Sequence, residues 1–80
     1  MTVEKFLESL INPYDNINIV LYSEYERVIA EYGFERLSRE MRTMLNDLNN
    51  NFGERKILNF YAEPHWSYDK TKTMIYHLLI

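Results

Sequence analysis

The segment between the chain's two glycines, Gly33 and Gly53, constrains the fold more than any other. Apolar residues recur through it in steps of three and four, at positions 34, 37, 41, 44, 45, 48 and 52. This spacing places them on one stripe of a helix, opposite a face of charged and amide side chains. The sequence therefore predicts an amphipathic helix between the glycines, with its apolar stripe covered by the rest of the chain.

Before Gly33, the sequence predicts a short helix and then a strand. Thr2 can cap a helix whose apolar residues recur at helical spacing, and Asn12-Pro13 ends it because the residue before a proline is pushed out of the helical region. The run 16–22 alternates at first and then becomes fully apolar. That pattern is typical of a strand.

Residues 23–32 fit two structures. Ser23 and Glu26 match a capping box, and the apolar residues that follow have helical spacing. Alternatively, residues 23–25 form a hairpin loop, and the β-competent run that follows is a second strand at about 26–32. We favour the hairpin, because a lone strand before the central helix would have little to pair with.

Two further strands are predicted after Gly53, at 57–62 and 74–80, joined by a polar loop over 63–73. Pro64 either ends the pairing or marks a sheet edge. The last strand is apolar on both faces, which is typical of an interior strand. The whole chain, 1–80, is thus expected to be one α+β domain of order αββαββ, with two helices on one face of a four-stranded, mostly antiparallel sheet.

Charge is spread unevenly along the chain. The net charge of −3 combines −4 over residues 1–33, +1 over 34–56 and zero over the remainder. A duplex-binding protein would normally carry a basic face, because phosphate neutralisation supplies most of its affinity. Direct binding to nucleic acid is therefore the weaker alternative. It would use a modest basic edge made of Arg36, Arg39, Arg42, Arg55 and Lys56.

The sequence also bears on location and assembly. It has no cysteine, which excludes disulfides and thiolate metal sites. Charged residues interrupt the first apolar run, so no signal peptide is predicted, and no run is long enough to span a membrane. We expect a protein of the bacterial cytoplasm with no membrane association, either a monomer or a homodimer.

Catalytic and metal-binding chemistry finds little support in the residue pattern. A metal site would have to use His65, Asp69 and either Glu63 or His77, a spacing that matches no established ligand pattern. With glycines at two positions alone, no glycine-rich loop can cradle a phosphate. We predict that the protein is not an enzyme and uses no cofactor and no metal.

Protein recognition is the function that the residues favour most. Aromatic residues gather in the 63–73 loop and its approach, and tyrosine and tryptophan are enriched at interface hot spots. The alternative is that Trp66 folds back and caps the core. The candidate partner-binding residues are Tyr61, Glu63, His65, Trp66, Tyr68 and Asp69, together with Tyr14 and Asp15 of the first turn.

Three stretches of the chain carry a resemblance. They are Thr2-Val3-x-x-Phe6-Leu7-x-x-Leu10-Ile11-Asn12-Pro13, then Asn16-Ile17-x-Ile19, and later Leu58-Asn59-Phe60-Tyr61-Ala62-Glu63 before an apolar last strand. In outline they resemble small accessory proteins of phages and mobile elements in low-GC Gram-positive bacteria. Some such proteins inhibit host defences, including CRISPR nucleases. The resemblance implies a protein that binds a host protein or complex and covers a basic surface on it.

Overall fold

The computed structural model describes residues 1–9, 16–25, 27–34 and 40–80. Within them the predicted α+β class is confirmed, and the elements follow in the order αββαββ. The helices are α1 (Val3–Ser9) and α2 (Glu40–Phe52), and the strands are β1 (Asn16–Tyr22), β2 (Val28–Phe34), β3 (Asn59–Trp66) and β4 (Lys72–Leu79).

The four strands form one mixed sheet in the order β2-β1-β4-β3. The hairpin pairs β1–β2 and β3–β4 are antiparallel, as the prediction of a mostly antiparallel sheet requires. The central pair, β1 and β4, is parallel, with Ile19 opposite Tyr76. The last strand is therefore interior, as its apolar residues predicted, since it lies between β1 and β3.

Both helices contribute to a single core on one face of the sheet. Side chains alternate between the two faces of a strand, so residues two apart share a face. The helix-covered face supplies alternate residues of β1 and β4, which pack against the buried faces of α1 and α2. The buried cluster contains Val3, Phe6 and Leu7 of α1, Leu48 of α2, Ile17, Ile19 and Leu21 of β1, and Leu78 and Ile80 at the chain end.

The opposite side of the sheet is called the open face below, because no helix of the described residues packs on it. Alternation and strand register assign its members. They are Asn16, Asn18, Val20 and Tyr22 of β1, Glu31 and Gly33 of β2, Asn59, Tyr61, Glu63 and His65 of β3, and Thr73, Ile75, His77 and Leu79 of β4.

The first helix begins as predicted. The Lys5 N–H donates to Thr2 Oγ1 at 3.3 Å, which is the expected cap. The N–H groups of Val3 and Glu4 donate to the carbonyl oxygens of Arg55 and Gly53, at 3.0 Å each, so the segment after α2 supports the start of α1. The predicted stop at Asn12-Pro13 lies outside the described residues.

The central helix does not extend back to Gly33 as predicted. Gly33 and Phe34 belong to β2, where they pair with Asn18 and Ile17, and α2 starts at Glu40. The prediction that Gly33 delimits the helix was wrong, because β1 offers strand partners as far as its first residues. The predicted apolar stripe is confirmed over positions 44–52, where Leu48 is fully buried and Met44, Leu45 and Phe52 pack against the core. It was wrong at position 34, which lies in β2. No described helix is long and apolar enough to cross a membrane.

The hairpin favoured for residues 23–32 is confirmed. Its second strand spans Val28–Phe34 instead of about 26–32. The Ser23 N–H donates to the Arg27 carbonyl oxygen at 2.9 Å and closes the connection. The register shifts between Leu21 and Tyr22, where Ile29 of β2 is the extra residue of a bulge.

The second hairpin is longer than predicted, and the predicted loop over 63–73 was wrong. Strand β3 runs on to Trp66 and β4 begins at Lys72, so the connection is reduced to residues 67–71. The N–H groups of Ser67 and Lys70 donate to the carbonyl oxygens of Thr71 and Ser67, at 3.0 Å each. The bond between Ser67 and Thr71 encloses residues 68–70, and Lys70 has φ 67°, the left-handed conformation that closes such a tight loop.

Strand β3 is an edge strand, one of the two alternatives that Pro64 predicted. Pro64 has no N–H to offer a further strand. The N–H of Phe60 is donated to the side chain of Asn59, to Oδ1 at 2.9 Å. Both features blunt the outer edge of the sheet against pairing with another chain.

Candidate functional site

A chain of hydrogen bonds crosses the middle of the open face. The Tyr22 hydroxyl oxygen lies 2.7 Å from His77 Nδ1. His77 Nε2 lies 2.9 Å from Glu63 Oε1 on the far side. The three side chains come from β1, β4 and β3, so the parallel pairing of β1 with β4 is what brings them together.

The direction of these bonds follows from their chemistry. An ionised carboxylate only accepts, so His77 Nε2 carries the hydrogen donated to Glu63. The Nδ1 atom of the neutral ring is then an acceptor, and the Tyr22 O–H donates to it. Both ring nitrogens are thereby engaged, which leaves neither as a ready general base.

Two aromatic rings enclose the histidine. Tyr61 stacks on His77 with ring centroids 4.3 Å apart and an interplanar angle of 10°, and the Tyr22 ring lies 5.6 Å away at 27°. The His77 side chain is consequently only 11% exposed, whereas its partner Glu63 is 54% exposed.

The open face has a negative electrostatic character. Burial raises the pKa of Tyr22 above its ordinary value of 10.0, and the neighbouring Tyr61, Glu31 and Glu63 raise it further. Among the described strand residues assigned to this face, Glu31 and Glu63 are the acidic ones and no lysine or arginine is present. Each carboxylate disfavours ionisation of Tyr22, as expected for like charges at short range.

A shallow cleft opens beside this cluster, with a volume of about 280 Å³. Pockets for drug-sized ligands begin at about 300 Å³. The cleft therefore suits a single side chain or a small functional group. Its lining residues are Tyr22, Asn59, Phe60, Tyr61, His77 and Leu79.

The structure divides the predicted partner-binding residues between two places. Tyr61 and Glu63 lie in the open-face cluster, and His65 follows on the same side of β3. Trp66 and Tyr68 lie at the hairpin end, 61% and 108% exposed. The alternative in which Trp66 folds back over the core is therefore wrong.

Asp69 has a structural role in the hairpin. Its Oδ1 accepts hydrogen bonds from the Ser67 hydroxyl and from the Thr71 N–H. The bond from Ser67, followed by those from Thr71, lowers the pKa of Asp69 from 3.8 to about 2. Its carboxylate therefore holds the turn that presents the exposed aromatic residues.

Several residues named from the sequence lie outside the described part of the chain. Tyr14 and Asp15 of the first turn are among them, as are Arg36 and Arg39 of the basic edge. The rest of that edge, Arg42, Arg55 and Lys56, is exposed.

Sequence reasoning missed Tyr22 and considered His77 only as a metal ligand. No group of three or more histidine, aspartate or glutamate side chains in the described residues could hold a metal ion. A correct hairpin register would have indicated the contact between Glu63 and His77, because it places them diagonally on neighbouring strands. The Tyr22 contact needs the parallel pairing, for which the sequence carries no local signal.

Comparison with protein-family models, with curated protein sequences and with solved structures finds no match for this chain.

Proposed function

We propose that this chain is a non-enzymatic binding protein, encoded by a phage or mobile element, that acts on a host protein in the bacterial cytoplasm. In the sharpest form of the proposal it inhibits a host defence complex, such as a CRISPR–Cas effector, by covering a basic surface on it. The binding surface consists of the outer strand β3, the hairpin end with Trp66 and Tyr68, and the adjoining open face.

The exposure of β3 carries this proposal. All eight residues of the strand are exposed, although they include Phe60, Tyr61 and Trp66. Phe60 packs edge-on against Phe6 of the core, with ring centroids 5.2 Å apart, yet it remains 52% exposed. Large aromatic side chains that stay exposed on one strand and its turn are typical of protein interfaces. The rigid turn at Asp69 lowers the entropy cost of holding them in place for a partner.

The edge chemistry of β3 favours recognition through side chains. Adding a strand would require free N–H groups, yet Pro64 has none and the N–H of Phe60 is bonded to Asn59. A partner would therefore contact the aromatic rings and the Glu63 carboxylate of this strand. Together with the net charge of −3, this favours a basic partner surface.

Catalysis has weaker support from the same geometry. His77 has both nitrogens engaged, and Tyr22 has a raised pKa, which keeps its hydroxyl protonated. A nucleophilic tyrosine would need the opposite shift. These features favour a role for the cluster in holding the surface rigid.

A plasmid-interference assay tests the proposal. In cells with an active CRISPR–Cas system, expression of the chain should restore transformation by a targeted plasmid, and the pair W66A and Y68A should abolish this effect. The melting temperature should change little, because both side chains are exposed. Tyr25→Ala is the matched control, since Tyr25 is 90% exposed in the other hairpin.

Capture of the partner extends the test to other host targets. A tagged chain should retain a defined protein from host lysate, and the double variant should not. If the double variant captures and inhibits as well as the native chain, the proposed surface is wrong.

A further inference from the structure

We propose that the open-face cleft takes the guanidinium group of an arginine on the bound partner protein. This inference rests on the proposed function and adds the chemistry of the contact. It is argued from the cleft's size, its aromatic walls and the charges around it.

The aromatic wall offers a stacking surface. One side of the Tyr61 ring lies against His77, 4.3 Å away, while the side chain as a whole remains 60% exposed. A planar guanidinium stacks on an exposed tyrosine ring through both dispersion and cation–π attraction. The stack on His77 already holds the Tyr61 ring in place, so binding a guanidinium costs little conformational entropy for this ring.

A carboxylate beside the ring offers hydrogen bonds. Glu63 Oε1 accepts from His77 Nε2 at 2.9 Å, and no described residue bonds its second oxygen, Oε2. Glu63 does not itself line the cleft, but it bonds His77, which does. Its carboxylate is 54% exposed, so the hydrogen bond to the guest would form at the rim of the cleft. Charge-assisted bonds from guanidinium to carboxylate are about twice as strong as neutral ones.

The surrounding charge selects a cation over an anion. Glu31 and Glu63 both act on Tyr22 and raise its pKa, so their fields converge beside the cleft. No lysine or arginine lies among the described strand residues on this face, so the partner must supply the compensating charge. At about 280 Å³ the cleft has room for the end of an arginine side chain.

Aromatic NMR spectra of the full chain provide the test, with two short peptides as probes. Acetyl-Gly-Arg-Gly-amide should shift the ring signals of Tyr22, Tyr61 and His77 in a saturable way. The peptide with citrulline in place of arginine has the same shape without the charge and should shift them at least about tenfold less at equal concentration.

Substitutions locate the contact. Glu63→Gln retains an acceptor for His77 but removes the charge, so it should weaken arginine-peptide binding about tenfold. Tyr61→Leu should weaken it comparably. Glu54→Gln should leave it unchanged, because Glu54 follows α2 and does not belong to the open face.

The outcomes separate this inference from the proposed function. Equal shifts with the citrulline peptide, or arginine-dependent shifts away from the cluster, overturn the inference even if W66A and Y68A abolish partner capture. Arginine-specific shifts that are lost in E63Q support it even if no host protein is captured. In that second case the proposed function is wrong and the inference about the cleft stands.

Discussion

The hydroxyl oxygen of Tyr22 lies 2.7 Å from Nδ1 of His77 across the parallel pairing of β1 and β4. This bond joins the first strand of the chain to the last on the face away from the helices. It also fixes which ring nitrogen carries the hydrogen, because Nε2 donates to Glu63.

Tyr22→Phe should lower the free energy of unfolding by about 1 kcal/mol, because it leaves a half-buried acceptor on His77 without its donor. Urea unfolding measures the change, and ¹⁵N spectra of the native protein should show the hydrogen donated to Glu63 on Nε2 of His77. Tyr32→Phe is the control and should cost less, since Tyr32 bonds Asp47 at 3.3 Å in an exposed position. An Nδ1-protonated ring would contradict the assigned direction of the bonds.

Alkaline conditions should destabilise the protein partly through Tyr22. Burial raises the pKa of this residue above 10.0, so the unfolded chain releases the proton at lower pH than the folded protein does. The stabilisation is complete below pH 10.0 and is lost as the pH rises from there through the folded pKa. Melting temperatures between pH 8 and 11 should fall less steeply for Tyr22→Phe than for the native chain.

The two glycines should respond differently to alanine. A Cβ at Gly53 would lie 2.5 Å from the carbonyl oxygen of Asn49, a backbone atom that cannot move without disturbing the end of α2. Gly53→Ala should therefore destabilise the protein by about 2 kcal/mol.

A Cβ at Gly33 would meet only the side chain of Asn18, whose Oδ1 lies 2.9 Å away and can rotate. Gly33→Ala should be neutral or stabilising by up to about 1 kcal/mol, since it restricts the unfolded chain. Denaturant midpoints compare the pair. Equal losses at both positions would contradict the assignment of Gly33 to an accommodating strand position.

The Asp69 carboxyl group should titrate near pH 2 in ¹³C spectra. Because folding lowers its pKa from 3.8, the stabilisation it provides is present above pH 3.8 and is lost as the pH falls through about 2. Ser67→Ala should move the midpoint back toward 3.8, since the Ser67 hydroxyl is the largest cause of the shift. Ser23→Ala, in the other hairpin, should leave it unchanged.

Elements with a pattern in neighbouring residues, such as alternation or a helix cap, could be predicted from the sequence. Strand β1 spans Asn16–Tyr22 as the alternation predicted, and Thr2 caps α1. The β1–β2 hairpin was favoured because a lone strand lacks a partner, and that reasoning held. The helix start was predicted wrongly at Gly33. A glycine next to a helical pattern suggests a helix end, but this glycine lies in a strand.

The candidate site was only partly predictable. Its aromatic residues on β3 were recognised by composition, but the turn after them was hidden because Lys70, not glycine, adopts the left-handed conformation. The join between Tyr22 and His77 depends on pairing residues 55 positions apart in the chain. Such pairing is set by how the whole sheet packs and leaves no trace in a short window.

The partly blocked outer edge of β3, at Asn59, Phe60 and Pro64, bears on aggregation at high protein concentration. A protein made in quantity, with apolar rings along an outermost strand, risks stacking strand on strand into fibrils. A second copy of the chain could not pair fully with β3, because Pro64 has no N–H and the N–H of Phe60 already bonds the Asn59 side chain. The aromatic rings of β3 can thus stay exposed to water while copies of the chain are hindered from pairing strand to strand.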